Sequence, residues 1–410
     1  MITAREALET VLGHVTTLGV EQVALTAAAG RVLAEPVQAT RDIPPFRNTA
    51  MDGYAVRAAD IASATSAGAV SLRVLEVVAA GGVPGVTLNK GTATKVMTGS
   101  PIPEGADAVV RIEDTTESNG QVLVLASVPS GANVRLAGED MKTGETVLLP
   151  GRALRPADIG LLASLGRSVV RVHRRPEVAI LATGDELVEI GEPLGPGQIV
   201  NSNAYVLAAA VEESGATARI LGVVRDTPEE TRTAFDDAFK SDVVLSTGGV
   251  SMGVFDIVRE VLRGLGVEEH FWKVAQKPGK PMTFGTRNEL PVFGLPGNPV
   301  SALVCFYLYV RPALRKMMGH PGVHLPTVAA RLDEDVRTAE TLTEFVRCTL
   351  ESDGREYLAR LTGSQSSGVL RSMSLGNGLI VAPAGVQTLT RGSIARVIKL
   401  ADEAAVEPPV

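Results

Sequence analysis

The stretch TGGVSMGVFDIVREVLRGLGVEEHFWKVAQKPGKPMTFGTRNELPVFGLPGNP, Thr247 to Pro299, contains three loops marked by glycine and proline, each at one end of an apolar run. They are TGGVSMG (Thr247 to Gly253), KPGKP (Lys277 to Pro281) and LPGNP (Leu295 to Pro299). A loop that leaves a strand and feeds a helix N-terminus aims backbone N–H groups at negative charge, and glycine lets that backbone approach a ligand closely. The pattern predicts an anion site. Gly248, Gly249 and Gly253 relax the first loop, Ser251 supplies a hydroxyl donor, and Lys277 and Lys280 add cationic donors on a turn stiffened by prolines. The structural alternatives stand beside this reading: Asp256 in the next helix also complements the helix dipole, and Asn298 and Pro299 suit the N-cap and N1 positions of a helix running to Met318.

Outward from these loops, residues 176–325 alternate strand and helix. Val178 to Ala182, Ala218 to Val224 and Val243 to Leu245 read as buried strands, and Ala204 to Glu213 and Pro228 to Phe239 read as helices. Alternation of this kind predicts a doubly wound parallel sheet with helices on both faces, whose ligands lie beyond the carboxyl ends of the strands. ATGDE (Ala182 to Glu186) and STGG (Ser246 to Gly249) should then meet in one crevice. Asp185, Glu186, Asp226 and Asp256 offer the hard oxygen ligands that Mg²⁺ takes when it bridges phosphates. Taken singly, Asp185 reads equally as a helix N-cap and Asp226 as a turn residue.

The flanks differ in texture. Residues 1–46 give a helix with Ala7, Leu8, Val11, Leu12 and Val15 on one face, then an extended DIPPF. Residues 47–146 form short β runs punctuated by turn signals, and 147–175 return to helix around Ile159 to Leu165, expected to pack against the N-terminal helix. The first region therefore reads as discontinuous (1–46 with 147–175), with a small β domain inserted at 47–146, an α/β domain at 176–325 and a barrel-like β domain at 326–410.

Bulk composition limits the function. The 410 residues carry Lys+Arg 39 against Asp+Glu 46, a net charge of −7, and only 4% aromatics, so neither a basic face nor stacking aromatics for nucleic acid is present. Val300 to Val310, the most apolar stretch, is far short of the roughly 20 residues a bilayer span needs. MITAREAL opens in capping-box spacing rather than as a signal peptide, and two core-like cysteines, Cys305 and Cys348, predict a reducing, cytoplasmic setting. The five histidines make no triad or metal pattern with either cysteine.

Read together, NTAMDGYAVR (Asn48 to Arg57), MTGSPIPEGADAVV (Met97 to Val110), GED (Gly138 to Asp140), ATGDEL, GQIVNSNAY (Gly197 to Tyr205), STGGVSMGVFD, KPGKP and GLPGNPVSA resemble, in collinear order, the MoeA family of molybdopterin molybdenumtransferases, to which the C-terminal domain of gephyrin is related. The resemblance implies a homodimeric enzyme that converts adenylylated molybdopterin and molybdate, with Mg²⁺, to molybdenum cofactor and AMP. It also implies transient contact with molybdopterin adenylyltransferase and with molybdoenzymes. The family's cleft lies between the α/β domain of one subunit and the inserted β domain of the other. Carried over position by position, Asp52, Thr98, Asp140, Glu186, Asp226, Asp256, Lys273, Lys277, Pro296 and Pro299 match functional positions. The oxyanion site implied is Lys277, Lys280 and Pro281, joined by Arg347 and Ser367 (or Ser366) from the last domain, with Glu186, Asp226 and Asp256 toward the metal. Two other readings follow from the same resemblance: an adenylyltransferase acting on molybdopterin, and a non-enzymatic gephyrin-like scaffold.

Overall fold

A computed structural model describes residues 1–248, 254–352 and 354–401, with the backbone alone of 254–256. Gly249, Ser251, the side chain of Asp256, Asp353 and the tail after Ala401 lie outside the described residues.

The α/β region is built on a six-stranded sheet in the order Thr217–Val224, Glu177–Thr183, Val243–Gly248, Leu290–Leu295, Thr283–Arg287 and Glu268–Trp272. The first four strands run parallel. Because successive side chains alternate faces, each of the two middle strands feeds two cores. Val178, Ile180 and Leu245 pack with Leu207 of the helix Ser202–Glu213 and with Phe306 and Leu314, while Ala179, Leu181 and Val244 pack with Phe235 of the helix Pro228–Ala238 and Val261 of the helix Val254–Gly264. The sheet is thereby covered on both sides, as its apolar runs require. Its last two strands depart from the parallel pattern and run antiparallel. The turn between Thr283–Arg287 and Leu290–Leu295 is Asn288-Glu289, both at positive φ (49° and 69°), the backbone twist of a tight two-residue hairpin without its usual glycine.

The N-terminal helix Ala4–Gly13 has the expected capping box: the Thr3 hydroxyl accepts from the Glu6 N–H, and the Glu6 carboxylate accepts from the Thr3 N–H at 2.7 Å. Its packing partner differs from the expectation. Ala7, Val11 and Val15 are buried in the α/β core rather than against the helix Pro156–Ser164, whose Leu162 is used in a separate core with Leu33, Val170 and Val172. The apolar stripe meets a larger apolar surface there, and hydrogen bonds fix it: Ala275 N–H to the Ile2 carbonyl (2.7 Å), Leu18 N–H to the Met317 carbonyl (2.7 Å), and Lys316 Nζ to the Leu12 carbonyl (2.6 Å). Two antiparallel ribbons, Val20–Ala24 with Val169–His173 and Val37–Gln38 with Thr146–Leu148, join the chain before the β region to the chain after it.

That β region has a six-stranded sheet in the order Ala108–Arg111, Gly53–Val56, Thr92–Val96, Val70–Val78, Gln121–Val124 and Thr115–Ser118. In the C-terminal region Thr343–Ser352, Tyr357–Leu361, Thr327–Leu332, Ile394–Lys399 and Gly378–Ala382 pair in sequence, and the last pairs back to the first, closing a barrel. A two-residue strand from the α/β region, Gln276–Lys277, adds in parallel to Thr343–Glu344 of that barrel. Among the described residues no helix is long and apolar enough to cross a membrane.

Candidate active site

The four parallel strands end on one edge, so their carboxyl ends at Thr183, Val224, Gly248 and Leu295 lie side by side. Between them opens a cleft of about 260 Å³, lined by Thr183, Glu186, Asn203, Thr247, Gly248, Gly297 and Pro299 and reached by Gly368 of the last domain. Gly248 has φ +92°, and a Cβ there would lie 2.2 Å from the Thr183 carbonyl oxygen; one on Gly297 would lie 3.3 Å from the Gly248 Cα. Both glycines are required because two strand-end loops meet backbone to backbone at this point.

One side chain, not singled out in the sequence, ties the start of the helix Ser202–Glu213 to the end of the strand Val243–Gly248 and to the loop after Leu295. Asn203 Nδ2 donates to Thr247 Oγ1 at 2.9 Å and to the Gly297 carbonyl at 2.8 Å, while Thr247 Oγ1 donates to the Pro296 carbonyl at 3.1 Å. The signal was the NSN triplet: Asn201 caps the helix, its Oδ1 accepting from the Ala204 N–H at 3.3 Å, so a second asparagine two residues on is left for another task. Asn298 occupies the expected N-cap position of Pro299–Cys305, but its side chain makes no capping bond.

Glu186 is the one carboxylate among the described residues that line the cleft, and its neighbours Asp185 and Asp226 lie outside that lining. Asp185 Oδ1 accepts from the Asp226 N–H at 3.2 Å, and Arg225 holds the same turn through the Asp185 carbonyl at 2.9 Å. Burial, then the charge of Asp185 and more weakly that of Glu186, push the Asp226 carboxyl above its ordinary pKa. Asp226 Oδ1 is shielded from solvent with no hydrogen-bond partner. An orphaned carboxylate oxygen beside further carboxylates is the arrangement that a hard cation relieves. Among the described residues no three His, Cys, Asp or Glu side chains are placed together to hold a metal ion.

Lys273, at φ +68°, places its Nζ 3.8 Å from the centroid of the Trp272 ring. Lys277 and Lys280 are exposed at either side of the Pro278-Gly279 turn, and Lys277 Nζ lies 3.4 Å from both oxygens of Glu344, which is itself buried and accepts from the Ala339 N–H at 2.6 Å. Arg347 is buried in the barrel: its Nε donates to Ser372 Oγ at 3.0 Å, and its Nη2 donates to the carbonyls of Ser364 (3.1 Å) and Ser366 (3.0 Å). Arg347 thus shapes the Ser364–Ser366 loop, and the next residue, Ser367, offers its carbonyl to the Val300 N–H at 3.2 Å, the first turn of the helix that follows LPGNP. The last domain is joined to the cleft in this way.

Asp52, Thr98 and Asp140 are not among the residues lining this cleft. Asp52 and Thr98 form a site of their own on the β region, where the Thr98 N–H and hydroxyl both donate to Asp52 Oδ1 at 2.7 Å and hold its carboxyl below the usual range. Asp140 is exposed, its N–H bonded to the Ile43 carbonyl at 3.0 Å. Asp52-Gly53, a hairpin signal when read alone, is not one here: the strand Asn48–Thr49 before it pairs with Val134–Arg135, and Gly53–Val56 after it pairs elsewhere.

Residues 2–166 match the family described as MoeA N-terminal region (domain I and II), 179–316 match a probable molybdopterin binding domain, and 329–400 match the MoeA C-terminal region (domain IV). The chain belongs to the MoeA family. A molybdopterin molybdenumtransferase from Nostoc sp. is 39% identical over 93% of this chain and 88% of its own length, and one from Bacillus subtilis is 36% identical over 95% and 92%. Two crystal structures of the molybdopterin biosynthesis MoeA protein from Pyrococcus horikoshii match with TM-scores of 0.85 and 0.83, each at 34% identity, covering 98% and 97% of this chain and 100% of theirs.

Proposed function

We propose that this MoeA-family chain is a molybdenumtransferase of molybdenum cofactor biosynthesis, acting on adenylylated molybdopterin and molybdate to give molybdenum cofactor and AMP. The observation that carries the reading is the cleft at the carboxyl ends of the parallel strands, lined by Glu186 and by the glycines Gly248 and Gly297, in a chain that resembles molybdenumtransferases over nearly its full length. The resemblance of the flanking regions to MoeA N- and C-terminal regions favours this over adenylylation of molybdopterin by the central domain alone.

The cleft suits a phosphorylated ligand. Gly248 and Gly297 leave backbone close to it, Asn203 keeps the loops in register, and the outward lysines Lys277 and Lys280, with Pro281 and the loop shaped by Arg347 around Ser367, form the reading's oxyanion site for molybdate. Glu186 and Asp226, with Asp256, would hold Mg²⁺. That ion would neutralise phosphate oxygens as the bond to AMP breaks. The orphaned oxygen of Asp226 supports its membership of this set. We assign the chain to a homodimer with 1–46 and 147–175 at its interface, the β region 47–146 of one subunit presenting Asp52, Thr98 and Asp140 to the cleft of the other, and to the cytoplasm.

Incubation with adenylylated molybdopterin and molybdate tests the reading: AMP release tied to cofactor formation supports it. Adenylylation of molybdopterin from ATP, or no turnover, refutes it.

A further inference from the structure

We propose that Gln276 is a positioning residue for the lysine turn, holding it from beneath through a buried polar network with Tyr309 and Cys305. All three side chains are almost wholly buried. Gln276 Nε2 donates to the Pro278 carbonyl at 3.0 Å and contacts Cys305 Sγ at 3.6 Å, the Tyr309 hydroxyl donates to Gln276 Oε1, and the Cys305 thiol faces the Gly279 carbonyl at 3.7 Å. Two successive carbonyls of the turn are therefore engaged from below, which leaves Lys277 and Lys280 on the solvent side.

The helix behind the turn is shaped for this contact. Pro299–Cys305 widens into a π-helical segment, Phe306–Val310, before resuming as Arg311–Met317, and Tyr309 lies in that segment. Such widened turns commonly re-aim a side chain at a functional site. Gly279, at φ +94°, shows how closely the turn rests on the network: a Cβ there would lie 2.4 Å from Cys305 Sγ and 2.7 Å from Gln276 Nε2. An apolar residue at 276 would leave the Pro278 carbonyl and the Tyr309 hydroxyl buried and unpaired, and the turn would lift to satisfy them. The Lys277 side chain has no comparable hold of its own, since it is 55% exposed and reaches Glu344 only at 3.4 Å.

The inference rests on the reading of Lys277 and Lys280 as the oxyanion site, so the two are tested together. Equilibrium molybdate binding and steady-state AMP release are measured for Gln276→Met, Tyr309→Phe, Lys277→Ala and Lys280→Ala. Gln276→Met should weaken molybdate binding about tenfold while the half-saturating concentration of adenylylated molybdopterin stays within about twofold, a split that general loosening of the fold would not give. Tyr309→Phe, which removes one hydroxyl, should show the same split at about threefold and carries the test if Gln276→Met does not fold. If the lysine variants weaken molybdate binding and neither network variant does, the positioning role is overturned alone. If the lysine variants have no effect, both the oxyanion site and its support are overturned.

Discussion

Gly248→Ala should cost the α/β domain about 1.5 to 3.5 kcal/mol, from a backbone contribution and a contact contribution. An L-residue held in the left-handed region costs about 1 to 2 kcal/mol, and Gly248 sits at φ +92°. The added methyl would lie 2.2 Å from the Thr183 carbonyl oxygen, where about 3.3 Å is the closest comfortable approach. Thr183 and Gly248 are register partners in adjacent parallel strands. Relief of about 1 Å must come from parting the strands at their ends, which forfeits a ladder hydrogen bond worth about 0.5 to 1.5 kcal/mol. Gly266→Ala isolates the first term, because Gly266 has φ +84° and open space around its missing Cβ. Urea unfolding followed by a probe in the α/β domain should place Gly248→Ala about 0.5 to 1.5 kcal/mol below Gly266→Ala, with AMP release reduced because the same displacement moves Thr247 and Gly297. Equal losses in the two variants, or full activity in Gly248→Ala, would refute the claim that the cleft depends on this backbone contact.

Three further outcomes are expected. Asp226→Asn should be more stable than the parent at neutral pH and less active: a carboxyl whose folded pKa is raised penalises the charged fold, so the advantage should be full above the raised value and vanish as pH falls below the ordinary 3.8, which thermal unfolding across pH will check. Lys277→Ala should lower stability by less than about 1 kcal/mol, since the lysine is largely exposed, and its activity should recover at raised molybdate; unfolding of the variant would mean that the contact with Glu344 is structural. Mixing Asp52→Ala with Glu186→Ala subunits under exchanging conditions should restore part of the AMP release missing from either alone. Exchange without recovery would argue against a shared cleft.

What could be read from the chain was what repeats along it. VAILA at Val178 to Ala182 and VVL at Val243 to Leu245 are too short and too apolar for anything but strands buried on both faces, and the structure extends each by a residue or more to Thr183 and Gly248. Thr3 with Glu6 announced its helix start by local chemistry alone. Missing were the decisions made by distant surfaces. Nothing in Ala7, Val11 and Val15 states which apolar partner will cover them, and two were available. The hairpin at Asn288-Glu289 lacks the glycine that usually marks such a turn. At the candidate site, glycines and lysines were visible because their spacing is unusual, whereas Asn203 and Gln276 are ordinary until the fold shows which carbonyls they reach. Arg347, exposed in a purely compositional view, is buried because Ser364 and Ser366 turn their carbonyls toward it.

The seating of the N-terminal helix has a consequence for synthesis. Its partners, Val274, Ala275, Lys316 and Met317, leave the ribosome about 300 residues after it, which at roughly 5 to 20 residues per second is tens of seconds. Through that interval the β region can pair its own strands, but Ala7, Val11 and Val15 have nowhere to go. The nascent chain therefore carries an uncovered apolar stripe on this helix until the α/β domain is nearly complete. A chaperone that shields that stripe, or a slower passage through residues 254–317, would change the yield of folded protein without altering any native contact.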